Sequence, residues 1–218
     1  MDTKRQCEVF KHYSKIYKTI LSNIYPAKNS TGFPERNLSV NFSKAYETVA
    51  NIADETVVSW FEMQFGKRNN LHVDAVIINE TVGDMLILEA KRFKNDNGKV
   101  KEVVKDINRI YDFASELRNE NVQGNKRIEL SKINHCYGVI LADVWEKTGI
   151  KNDILRSYTA GAKDPYSNES FLNKYCINYF PDREFPDLAY YVCNMKDIFF
   201  GKYNYKYYNL VSFVWKII

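Results

Sequence analysis

The sequence predicts an α/β protein with a central mixed sheet flanked by helices. Three observations predict it. Two consecutive runs rich in β-branched residues, 71–79 and 84–93, are joined by Glu80-Thr81-Val82-Gly83, a segment suited to chain reversal. Residues 99–118 carry apolar side chains at spacings of 3, 4 and 7, the signature of an amphipathic helix. A further apolar run, 135–145, follows that helix, and a strand–helix–strand connection is a right-handed crossover by rule.

Taken in order, residues 3–24 read as an amphipathic helix. Phe10, Tyr13, Ile16, Tyr17, Ile20, Leu21 and Ile24 line its apolar face, and Thr3-x-x-Gln6 offers a capping box. Residues 26–36, with Pro, Gly, Asn and Ser, read as a loop. A second helix is expected over 41–55, with Phe42, Tyr46, Val49, Ala50 and Ala53 on one stripe. Glu47 and Asp54 fall at the edge of that stripe. Residues 57–65 read as a strand and 66–70 as a turn. In the helix over 99–118, Val100, Val103, Val104, Ile107, Ile110, Tyr111, Ala114 and Leu117 form the core stripe. Lys101, Lys105, Asp106, Arg109 and Asp112 are assigned to its outer face. Beyond residue 146, a helix is expected over 147–158 and loops around Pro165 and 181–186. Tyr203, Tyr205 and Tyr207 alternate as in a strand, and the apolar run 210–218 would extend the sheet. The chain therefore divides into an N-terminal helix and loop (1–38), a core (39–145), and an extension that completes one domain (146–218).

Charged residues inside the two central strands stand out. Asp74 interrupts the first and Glu89-Ala90-Lys91 the end of the second, and an acid in an apolar run is costly unless something cationic meets it. Side chains alternate along a strand, so Glu89 and Lys91 share a face. If Asn79 and Asp84 close the turn, Asp74 faces Glu89 directly, with Cβ atoms about 4.5–5.5 Å apart. Two carboxylates that close repel each other, and a divalent cation relieves the conflict. Oxygen ligands suit Mg²⁺, with Mn²⁺ as a substitute, rather than zinc. Lys91, one pleat beyond Glu89, can reach a water or phosphate oxygen beside the ion. His72, two residues before Asp74, shares its face and is either an accessory group or an ordinary strand-edge histidine.

These residues resemble the PD-(D/E)xK nuclease superfamily, whose restriction-endonuclease-like core runs αβββαβ. In that pattern Asp74 stands as the second-strand acid and Glu89-Ala90-Lys91 as the third-strand motif. Val73 replaces the proline of the motif's name. The resemblance covers about residues 39–145. It implies that Asp74, Glu89, the Ala90 carbonyl and a helical acid, here assigned to Glu47, hold the metal, and that Lys91 orients the attacking water. It implies a Mg²⁺-dependent DNA endonuclease, most closely of the restriction type, acting as a homodimer and without a small-molecule cofactor. A junction or repair nuclease and an inactive DNA-binding module are the alternatives. Ile107 stands where the exonuclease-like branch carries a glutamine before Tyr111, which argues against that branch.

The basic residues Arg92, Lys94, Lys101 and Lys105 follow the motif and are candidate contacts to a phosphate backbone. The net charge of +4 permits a nucleic-acid partner without requiring one. A hydrophobic content of 45% is that of a soluble globular protein, and no apolar run approaches the roughly 20 residues of a membrane span. With no apolar signal segment behind Met1, the expectation is a cytoplasmic protein without a membrane partner. Cys7, Cys136, Cys176 and Cys193 lack zinc-ligand spacing and read as small reduced core residues.

Overall fold

The structure, a computed structural model, describes residues 1–23, 34–65, 71–94, 98–118, 130–147, 184–194 and 205–217. Side chains of residues 93–94, 98–100, 118, 144–147 and 205–209, among others, lie outside the description. So do residues 148–158 of the helix expected over 147–158, the loop around Pro165, Cys176 and Tyr203.

Two helices open the chain, α1 (Thr3–Asn23) and α2 (Glu35–Ile52). Three strands follow: β1 (Val57–Phe65), β2 (Leu71–Asn79) and β3 (Asp84–Lys94). Then come α3 (Gly98–Arg118), β4 (His135–Lys147), β5 (Ala189–Asn194) and β6 (Tyr205–Lys216). The strands form one six-stranded sheet in the order β1-β2-β3-β4-β6-β5. Only the β3–β4 pair is parallel, bridged by α3; the other pairs are antiparallel. The expected α/β class with a mixed sheet between helices is therefore present, and the C-terminal strand does extend it.

Each face of the sheet has its own core. On one face α1 and α2 bury Tyr13, Tyr17, Leu38, Phe42 and Tyr46 against Ala75, Ile77, Leu86, Leu88, Val139 and Leu141. On the other, α3 buries Val103, Ile107, Ile110 and Phe113 against Val76, Ile87, Ile140, Phe213 and Trp215. The alternation that the strands show in sequence thus sorts one residue set to each helical layer. Gly138 is required by the second core. A Cβ there would lie 2.2 Å from the ring of Trp215, the residue paired with Gly138 on the neighbouring strand.

Local physics explains the boundaries. The β2–β3 turn closes at Asn79 and Asp84, as expected. The Asn79 side chain accepts the N–H groups of Thr81 and Val82, and Gly83 supplies the positive φ of 72° that the reversal needs. Asn79 also donates to Glu55, which pairs with Arg5 of α1 at 2.7 Å, so the turn, the link from α2 to β1, and α1 are tied together.

Three expectations change. The cap of α1 is Asp2, whose carboxylate accepts the Arg5 N–H at 2.7 Å, in place of a Thr3–Gln6 box. Helix α2 begins at Glu35, six positions before the expected start and across the 38/39 division. Pro34, with φ −55° and ψ 142°, stands just ahead of it, where its missing N–H costs nothing. Strand β5 was not anticipated; it is only six residues long and pairs with the edge of β6.

Candidate active site

The site forms where β2 and β3 part. Their ladder follows the expected register from Asn79↔Asp84 to Ala75↔Leu88 and then stops. Asp74 and Glu89 are the next residues in that register, but they do not continue it. Strand β3 goes on alone beside β4 to Lys94. The β3 N–H groups that β2 would have taken are bound by carboxylates instead. Ala90 donates to Asp74 Oδ2 at 2.6 Å, and Arg92 donates to Glu35 Oε1 at 3.0 Å. Buried backbone donors require partners, and here they fix two acids at the mouth of the gap. The N–H and C=O of one strand residue point to the same edge, so the Ala90 carbonyl also faces this gap.

The β1–β2 ladder is interrupted at the same level. Phe61↔Ala75 and Met63↔Val73 pair, while Glu62 between them adopts a left-handed φ of 52°, uncommon outside glycine. Phe61 and Ala75 pack toward α1 and α2, whereas Met63 and Val73 pack toward α3. The hairpin therefore turns over at Glu62 and Asp74.

Glu89 and Lys91 point toward α3 as alternation demands, and two residues of α3 meet them. Arg109 Nη1 lies 2.8 Å from Glu89 Oε1 and 3.3 Å from Asp106 Oδ1. Lys91 Nζ lies 3.2 Å from Asp106 Oδ2. Glu89 and Asp106 are each 1% exposed, so these charges interact with little solvent between them.

Acids outnumber cations here: Glu35, Asp74, Glu89 and Asp106 face Lys91 and Arg109. Burial pushes the Glu89 carboxyl up to about 9, reinforced by Asp74 and Asp106 and only partly offset by Arg109. Burial likewise raises Asp74, against the opposing Ala90 N–H and Lys91. It raises Asp106 to about 6 despite Lys91 and Arg109. For Lys91 burial acts downward, but Asp106, Glu35 and Glu89 together outweigh it and the ammonium is held above its ordinary value. At neutral pH Glu89 thus retains its proton, while Lys91 keeps a firm positive charge.

These features fit a hard divalent cation. Glu89 Oε2 is buried and, among the described residues, has no hydrogen-bond partner. It shares the site with Asp74 and an outward-facing strand carbonyl, an all-oxygen donor set suited to Mg²⁺ or Mn²⁺.

Some expected residues are placed elsewhere. Glu47 accepts the Ser59 hydroxyl at 2.6 Å, and Ser59 pairs with Ile77, three residues along β2 from Asp74 and about 10 Å away. Twelve residues of helix, about 18 Å, separate Glu47 from Glu35, the α2 acid that does reach the gap. Because α2 starts at Glu35, its N-terminus, and not its middle, lies at the site. Arg92 alternates onto the α1/α2 face; its Nε is 4.0 Å from buried Asp143, and only 13% of the side chain is exposed. It is thereby turned away from the face that carries Glu89 and Lys91. Lys101 and Lys105 are exposed on α3, as expected, and the Lys94 side chain lies outside the described residues.

Asp106 and Arg109, expected on the outer face of α3, instead meet the charges of β3. Asp106 is three residues after Val103 and four before Ile110, both buried, so its position on the apolar stripe was a legible signal. Glu35 carried a weaker one, an acid directly after a proline at a helix start.

No protein-family model, curated protein or solved structure matches this chain.

Proposed function

We propose that the protein is a Mg²⁺-dependent DNA endonuclease with a PD-(D/E)xK core, most closely of the restriction type. One observation carries the reading: Asp74, Glu89 and Lys91 converge where β2 and β3 separate, with a buried Glu89 oxygen that has no hydrogen-bond partner among the described residues and the Ala90 carbonyl at the same gap. The chain order α2-β1-β2-β3-α3-β4 supports it, since it is the element order of that core.

Asp74, Glu89 and the Ala90 carbonyl would hold the cation, and Glu35 takes the place of the helical acid that had been assigned to Glu47. A bound Mg²⁺ supplies charge neutralisation at the scissile phosphate and acidifies a ligated water. The protein's own groups do the rest. Lys91, kept protonated by Asp106, Glu35 and Glu89, donates to the attacking water or a phosphate oxygen and opposes the negative charge that develops there. Asp106 holds the Lys91 ammonium in place. Lys101 and Lys105, on the exposed side of α3, are positioned to meet a phosphate backbone. A homodimer would bring two such sites to the two strands of a duplex.

Among the described residues no helix is long and apolar enough to cross a membrane. This agrees with the proposal of a nucleic-acid partner but does not select it.

A second reading is favoured by Arg109. Its guanidinium already sits on Glu89 Oε1, giving the carboxylate a cation of its own. This would suit an inactive DNA-binding module that retains the fold. Incubation with plasmid, linear duplex, junction and single-stranded DNA, in Mg²⁺ or EDTA, decides between them. The nuclease reading expects cleavage that EDTA stops and that Lys91→Ala abolishes with an unchanged circular-dichroism spectrum. Binding without cleavage on every substrate supports the module, and undiminished cleavage by Lys91→Ala overturns the proposed role of the lysine.

A further inference from the structure

Asp74 has acids on both sides. Across the β2–β3 gap lies Glu89, the next residue of β3 after the last paired one, and Glu62 lies at the same level of β1, between the Phe61↔Ala75 and Met63↔Val73 pairs. Three neighbouring strands thus carry a carboxylate at one level: Glu62, Asp74, Glu89. His72 adds an imidazole from β2. One ligand atom from each of Glu62, His72 and Asp74 lies within 4.8 Å of the others, and His72 Nε2 is 3.2 Å from Glu62 Oε2.

Those distances suit chelation. Metal–N and metal–O bonds of about 2.0–2.2 Å give neighbouring ligand atoms separations of roughly 3.0–3.5 Å. The His72–Glu62 edge already has that length, and a modest rotation of exposed side chains brings in the third atom. Glu62 and His72 are about half exposed, so an ion can enter from solvent, while Asp74 is shielded. A second feature points to the same place. The buried Glu89 Oε2, which has no hydrogen-bond partner among the described residues, belongs to a carboxyl whose proton the neighbouring Asp74 helps to hold. Asp74 therefore lies between an orphaned oxygen on one side and a nitrogen–oxygen donor pair on the other.

We propose that Glu62, His72 and Asp74 form a second divalent-cation site, selective for Mn²⁺, Co²⁺ or Zn²⁺ over Mg²⁺. It shares Asp74 with the Asp74–Glu89–Ala90 site and rests on the reading of that site only through this shared ligand. The imidazole sets the selectivity, because nitrogen ligands suit these ions and Mg²⁺ prefers oxygen.

The test is metal binding by the full chain, read without activity. Mn²⁺ is titrated with free ion followed by electron paramagnetic resonance, and nitrogen hyperfine coupling is recorded on the bound ion. Wild type should bind two Mn²⁺ per chain, one of them nitrogen-coupled. His72→Ala should bind one, with no nitrogen coupling, and Glu89→Gln should keep the nitrogen-coupled ion alone. Mg²⁺ should compete for the uncoupled ion at least tenfold better than for the coupled one. A wild-type chain with no nitrogen-coupled ion, or His72→Ala with an unchanged count, overturns the second site. One coupled ion whose count Glu89→Gln leaves unchanged overturns the first site and leaves the second standing.

Discussion

Replacement of Glu89 by glutamine tests the electrostatics of the site directly. The side chain is 1% exposed, and its carboxyl titrates at about 9 when folded against an ordinary 4.5. Between these values the folded state binds a proton that the unfolded state does not. The slope of unfolding free energy with pH is then negative, about 1.4 kcal/mol lost per pH unit. Stability is full below pH 4.5 and is lost as pH rises toward 9. At pH 8 the accumulated penalty has an upper bound of about 5 kcal/mol. Glutamine keeps a carbonyl for Arg109 and turns amide donors toward Asp74, so it escapes the penalty at similar shape. After relaxation and partial rehydration, a gain of about 1–3 kcal/mol is expected for metal-free protein at pH 8. In a chain of this size, each kcal/mol moves Tm by about 2–4 °C. The assay is thermal or urea unfolding of both proteins in EDTA between pH 6 and 9, repeated with Mg²⁺. Wild type should fall with pH and the variant should be flatter. Mg²⁺ at a hundred times its Kd should stabilise wild type by about 2.7 kcal/mol and the variant far less. A variant less stable than wild type in EDTA at pH 8, or equal Mg²⁺ stabilisation of both, would refute the reasoning.

Three further outcomes follow from the same geometry. Mg²⁺ affinity, measured by calorimetry, should rise with pH up to about 9, by as much as tenfold per unit, because Glu89 must release its proton to become a ligand. Glu35→Gln should lower DNA cleavage about tenfold or more, whereas Glu47→Gln should leave the rate unchanged and cost about 1 kcal/mol of stability through the weakened Ser59 bond; equal rate losses in the two variants would remove Glu35 from the site. Gly138→Ala should destabilise the fold by about 3 kcal/mol in urea unfolding, because its Cβ meets the fully buried Trp215 ring and neither can retreat.

Much of this architecture is written in periodicity. The first three strands and α3 could be bounded within a residue because alternation and helical spacing are properties of adjacent residues. The turn at Asn79–Asp84 set the β2–β3 register as far as Ala75↔Leu88, and alternation beyond it set the face on which Glu89 and Lys91 lie. The choice of acid on α2 was not legible in the same way. Glu47 looked suitable because it bordered the apolar stripe, yet any stripe has several borders, and only the placing of the α2 N-terminus against β3 selects Glu35.

The sequence by itself determined which residues carry charge inside apolar strands and which of them share a face, because these follow from the two-residue repeat of a strand. Tertiary structure decided what meets those charges. Arg109 and Asp106 of α3, Glu35 of α2 and Glu62 of β1 arrive from elements as much as 54 residues away from Glu89 along the chain. The parting of β2 from β3 opens the gap they enter. Electrostatic energy depends on distance and burial across the fold, and neither is encoded in the spacing of neighbours.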